Sequence, residues 1–81
     1  MRLPRDLSGR ALAQALGTYG YAVTRQSGSH IRLTTVGGGE HHLTVPDHNS
    51  LRVGTLAAIL SEVAAHFGVE RSEVVRRLFG E

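Results

Sequence analysis

Apolar and polar positions recur at helical spacing in three stretches of this chain and alternate in three others. Leu12, Leu16 and Tyr19 stand at i, i+4 and i+7 behind Ser8, a residue type that caps helix N-termini, and Gly20 supplies a stop. Leu7 and Leu12 occupy the two positions of a hydrophobic staple, so a first helix of about three turns is expected. Tyr21 to Arg25, His30 to Thr35 and Glu40 to Pro46 alternate and are rich in β-branched residues, as strands are. Ser27-Gly28-Ser29 and Gly37-Gly38-Gly39 join them as two hairpins. Leu56, Ile59, Leu60, Val63 and Phe67 then mark an amphipathic helix ending at Gly68, and Val74, Val75 and Leu78 mark a shorter one at about 71–79.

Strand parity divides these residues between two faces. The odd positions Tyr21, Val23, Ile31, Leu33, Leu43 and Val45 are apolar, and the even positions Thr24, His30, Arg32, Thr34, His42 and Thr44 are polar. Side chains alternate across a strand, so the odd set is expected beneath the helices and the even set on an open face. Two loops of three residues keep the faces matched. That register pairs Thr34 with His42, Arg32 with Thr44 and His30 with Pro46, and sets Thr24 opposite Arg32 and Gln26 opposite His30. The expectation is an α+β fold, αβββα(α), with a three-stranded antiparallel sheet carrying its helices on one face. Residues 1–81 read as a single domain without linker or repeat.

Composition narrows the function. Eighty-one residues leave room for one modest core and exclude a second catalytic domain or a nucleotide-binding α/β unit. With no cysteine, disulfide frameworks, thiolate metal sites and cysteine nucleophiles are out. No apolar run approaches the ~20 residues of a membrane span. Met1-Arg2-Leu3-Pro4-Arg5-Asp6 has charge but no apolar stretch behind it, so a cytoplasmic protein without membrane association is expected. All nine basic residues are arginine. In residues 1–36 five arginines face one acid, and in residues 37–81 four face six, balances of +4 and −2. A basic half points to an anionic partner, nucleic acid first.

Few residues carry chemistry. His30 stands on the expected open face beside a tight turn and two residues from Arg32, and histidine's ordinary pKa of ~6.5 suits proton transfer at neutral pH. On periodicity alone it reads as an ordinary exposed strand histidine. His41 and His42 point to opposite faces and cannot share an ion; His30, His42 and His48 have no helical His-x-x-x-His or cysteine support, so neither metal nor cofactor is expected. The glycine run lacks the Lys-Ser/Thr and strand-to-helix context of a phosphate loop. Ser29 in a turn reads first as a hydroxyl bonding backbone.

Taken in order, several segments resemble one family. Leu7-Ser8-Gly9-Arg10 is similar to its opening of the first helix, and Leu16 with Gly20-Tyr21 to its helix-to-strand turn. Arg25-Gln26-Ser27-Gly28-Ser29-His30 resembles its central Gly-Ser-His motif, and Val45-Pro46-Asp47-His48 its Val-Pro-x-His strand exit. Gly54-Thr55-Leu56 with Ile59-Leu60, and Gly68-Val69, resemble its second helix and its tail. These are the HicA toxins, small mRNA interferases of type II toxin–antitoxin systems. The chain departs from its relatives in having no lysine and in carrying Glu70 where a serine-type cap is usual.

The resemblance implies a fold similar to the double-stranded-RNA-binding domain, an mRNA substrate, a HicB-like antitoxin that covers the active histidine, and His30 as that catalytic histidine. The free chain is expected to be a monomer that enters a higher-order complex with the antitoxin. With one histidine and no metal site, His30 would act as general base on the RNA's own 2′-OH. Arg25 and Arg32, with Ser29, Gly28 and Arg10, are the candidate RNA contacts, and His48 a possible auxiliary acid. None of the four aromatics lies on the expected open face, so weak sequence preference is expected. The competing reading is a non-catalytic RNA-binding module of the same fold, which needs no base at that turn.

Overall fold

The computed structural model describes residues 3–80; Met1, with Arg2 and Glu81 that were counted above for their charge, lies outside the described residues. Ser8 caps the first helix, its Oγ accepting from the Ala11 amide at 3.0 Å. Helix α1 covers Gly9–Ala15 and tightens into a 3₁₀ turn over Leu16–Tyr19, which Gly20 ends at φ 82°. Strands β1 (Ala22–Ser27), β2 (His30–Thr35) and β3 (His41–Pro46) follow, forming an antiparallel sheet in the order β1-β2-β3. Helix α2 (Val53–Phe67) ends at left-handed Gly68, and α3 covers Arg71–Phe79. Glu70 stands at the N-cap of α3 and makes no side-chain capping hydrogen bond. The fold is the expected α+β arrangement. No single helix among the described residues is long and apolar enough to cross a membrane.

The core lies between the sheet and the helices. Leu12 and Leu16 from α1 and its 3₁₀ extension, Leu33 and Val45 from the sheet, Leu60 and Val63 from α2 and Val74 from α3 are fully buried. Polar Thr35 is buried with them because it is satisfied on both sides: its hydroxyl donates to the Tyr19 carbonyl at 3.0 Å and accepts from the Gly37 amide at 3.1 Å. Near the C-terminus the Arg77 guanidinium lies over the Tyr19 ring, 4.7 Å from its centroid, tying α3 to the 3₁₀ turn.

Register is where sequence and structure part. Between β2 and β3 it is as expected: Thr34 opposite His42, Arg32 opposite Thr44 and His30 opposite Pro46, with a five-residue loop in place of three. The β1–β2 connection, however, has two residues, Gly28 and Ser29, so Ser27 faces His30, Gln26 faces Ile31 and Arg25 faces Arg32. An even loop would turn the wrong face of β1 inward all along its length. A bulge between Val23 and Arg25 absorbs the extra residue and restores Val23 opposite Leu33. The expected pairs Thr24–Arg32 and Gln26–His30 are therefore corrected. Val23, expected beneath the helices, is 54% exposed, because β1 is the sheet's edge and the helices stop short of it.

Candidate active site

Four pieces of chain meet around His30. Gly28 is left-handed at φ 57° while Ser29 is not, the pattern of a type II′ hairpin turn whose twist matches the flanking strands. The Asp47 amide donates to the Ser29 carbonyl at 2.7 Å and so clips this turn to the chain leaving β3. The Asp47 carboxylate then accepts from Gln26 Nε2 at 3.1 Å and from Arg10 Nη2 at 3.2 Å. The Gly9 amide, opening α1, donates to the His48 carbonyl at 2.9 Å. The backbone that carries His30 is thus fixed from β1, β3 and α1 at once. Its imidazole is exposed on the open face and lies outside the hydrogen-bond networks of the described residues.

The bulge adds to this site. It brings Arg25 onto the open face directly opposite Arg32, two pairs away from the Ser27–His30 pair. Like charges facing each other across an antiparallel pair repel. An anion between them removes that penalty, and a planar guanidinium is built to grip phosphate oxygens.

The other site residues fall in distinct places. Ser29 and Gly28 form the turn itself, Ser29 contributing its carbonyl to Asp47. His48 is exposed beside the site, its backbone held by Gly9. Arg10 reaches the region from α1, paired with Asp47. His42 lies far along the face, where its Nε2 donates to Glu40 Oε2 at 2.8 Å and its Nδ1 meets the Thr34 hydroxyl at 2.8 Å. Among the described residues no three His, Asp or Glu side chains converge as a metal site requires. Sequence reasoning missed Asp47 as the hub. The available signal was its place just after the strand-ending Pro46, as the one acid between Glu40 and Glu62.

A second cluster, also missed, closes the opposite end of the sheet. The His41 and His66 rings stack at 4.4 Å and 13°, and His66 Nε2 donates to the carbonyls of Gly37 at 2.8 Å and Gly39 at 3.1 Å. Burial, with Glu62 adding, pushes the Tyr21 pKa up to about 12, so its hydroxyl stays protonated and donates to His41 Nδ1 at 2.8 Å. Burial first, then the neighbouring His66 and His42, lowers the His41 pKa below its ordinary value, against the opposing pull of Glu62.

A histidine whose folded pKa is depressed takes up its proton more readily unfolded, so its contribution to stability is complete above ~6.5 and is lost as pH falls through the folded pKa. The urea midpoint is expected to fall on acidification from pH 7.5 to 5, and the fall to shrink in His41→Gln, which keeps an acceptor for Tyr21 but cannot titrate. An unchanged slope in that variant would assign the effect to other groups.

Comparison with known proteins gives one result that bears on this geometry. The model of a family described as the HicA toxin of bacterial toxin–antitoxin matches residues 9–64, from the start of α1 into α2, a span that holds the turn, His30, Asp47 and His48. No curated protein and no solved structure matches the chain.

Proposed function

Because the chain belongs to the HicA family, the toxin component of bacterial toxin–antitoxin systems, we propose that it is a cytoplasmic, metal-independent endoribonuclease that cleaves mRNA with His30 as general base. The observation that carries this reading is the site itself: a free imidazole on a backbone fixed from three sides, beside two arginines that oppose each other without an acid between them.

RNA brings its own nucleophile, so one base suffices. His30 removes the 2′-hydroxyl proton, the 2′-oxygen attacks the adjacent phosphorus, and the bond to the 5′-oxygen breaks. The products are a 2′,3′-cyclic phosphate and a 5′-hydroxyl, the leaving oxygen gaining a proton from water or from His48. General base catalysis is worth ~10²–10⁴-fold, and positioning with charge stabilisation supplies the remainder. Arg25 and Arg32 are suited to the phosphate, with the Gly28-Ser29 turn alongside. Arg10, exposed and paired with Asp47, adds positive charge beside the turn. The αβββα order supports the likeness to a double-stranded-RNA-binding domain, and a HicB-like antitoxin that covers His30 silences the toxin.

The test is chemical. Cleavage is expected to persist in EDTA and to stop when the ribose at the cleaved position is replaced by deoxyribose. Loss of activity in EDTA, restored by a divalent ion, overturns the single-base mechanism. RNA binding without cleavage at any condition leaves the protein a non-catalytic binding module.

A further inference from the structure

We propose that the free edge of β1 is a docking surface for an extended, acidic segment of the partner protein, which adds a fourth strand to the sheet. β1 is an edge strand with every residue from Ala22 to Ser27 exposed, so it has no neighbour on its outer side among the described residues. An unpaired edge offers main-chain donors and acceptors to an incoming strand, and side-chain pockets beside it supply selectivity.

Such a pocket is present. Arg10, Ala13 and Gln14 of α1, Val23 and Gln26 of β1 and Ile31 of β2 line a cleft of about 180 Å³ between helix and edge. That is below the size of small-molecule sites and suits a single side chain. Its wall Val23 is an apolar residue more than half exposed, pointing to the helix side where no helix covers it.

Charge selects the occupant. From Leu7 to Gly39 the chain has no acidic residue, and that stretch includes all of α1, β1 and β2. Its charged residues are Arg10, Arg25 and Arg32, of which Arg10 borders the cleft, paired there with Asp47, and Arg25 rises from the edge strand itself with no acidic partner among the described residues. A second copy of this chain would bring arginine against arginine, so self-pairing is disfavoured. RNA supplies negative charge but neither a strand to pair nor an aliphatic group for the cleft. A segment alternating acidic and aliphatic residues meets all three features. The bulge after Val23 shortens the regular pairing stretch and limits indiscriminate strand addition. Because Ser27 lies opposite His30 across the turn, a partner held along β1 is carried up to the candidate site. That the partner is an antitoxin rests on the function proposed above; the docking surface does not.

The experiment uses the full chain and the product of its adjacent reading frame. Val23→Glu is expected to weaken their affinity at least tenfold while leaving RNA cleavage by the free chain unchanged, and amide exchange across residues 22–27 is expected to slow at least tenfold in the wild-type complex. Val23→Thr, which keeps a β-branched side chain, gives a smaller loss in the same direction and serves if the glutamate variant fails to fold. Unchanged affinity with protection confined to the open face, around Arg32 and Thr44, overturns the proposal. So does a Val23→Glu variant that loses RNA binding but keeps its protein partner, since the edge would then be a nucleic-acid surface. If the adjacent product does not bind at all, the antitoxin reading fails. The edge is then read by NMR titration with a capped pentapeptide alternating threonine, glutamate and valine. Shifts confined to β1 and lost in Val23→Glu sustain the surface, and their absence overturns it.

Discussion

His30→Ala is expected to abolish RNA cleavage and growth arrest while the protein remains folded. The two halves of this result have separate physical origins. His30 is exposed and its ring lies outside the hydrogen-bond networks of the described residues, so its removal costs little stability, within the ~0.5 kcal/mol usual for surface substitutions. The backbone that carries it is held by main-chain contacts, the Asp47 amide on the Ser29 carbonyl and the Ser27–His30 pairing, which alanine preserves. The chemistry has no such reserve. Without a base at that turn, the rate is expected to fall by the ~10²–10⁴-fold that general base catalysis supplies. The measurement pairs initial cleavage rates on a labelled RNA with a thermal melt of the same preparation. A folded variant that cleaves at the wild-type rate removes His30 from the mechanism. Loss of both activity and the melting transition points to a structural role instead.

Much of this arrangement is legible in the chain because one signal serves at several levels. The odd and even positions of β2 and β3 assign their faces, and the loop's odd length fixes their register, so the open-face placement of His30, Arg32 and Thr44 follows from alternation alone. Parity fails at β1 for a stated reason. Whether Ser27 ends the strand or begins the turn changes the loop from three residues to two, and alternation cannot distinguish them when a bulge repairs the face four residues earlier. That slip decides where Arg25 lies, and with it half of the arginine pair. The hub at Asp47 was hard to read for another reason: its partners Arg10, Gln26 and Ser29 lie 37, 21 and 18 positions away, and only the assembled sheet with α1 packed on it brings all three together. The stacked pair His41 and His66 is hidden in the same way, one ring from β3 and the other from α2.

That packing has a narrow passage at Gly9, and Gly9→Ala is expected to block it with a large loss of stability. Gly9 is the buried first residue of α1, pressed against the exit of β3. A methyl group there would fall inside the Pro46 carbonyl oxygen, and it would lie 2.9 Å from the Pro46 carbonyl carbon and 3.2 Å from the Asp47 Cα. All three obstacles are backbone atoms, so no rotamer change clears them. Helix propensity favours alanine over glycine by up to ~1 kcal/mol, which makes the sign of the result a direct contest between local preference and close approach. Close approach wins. Either α1 backs away, breaking the Gly9–His48 and Arg10–Asp47 contacts and unseating Leu12 and Leu16, or β3 frays at Pro46. Overpacking costs ~1–3 kcal/mol, and a rigid backbone obstacle belongs at the upper end. At ~4–8 °C per kcal/mol for a domain of this size, the melting temperature is expected to drop by more than ~10 °C. Gly54→Ala is the internal control: it is also a helical glycine, but the added Cβ meets nothing within 4 Å, so it is expected to be neutral or stabilising. Equal melting temperatures for the two variants would mean that α1 does not sit on the β3 exit as closely as the Gly9–His48 bond requires.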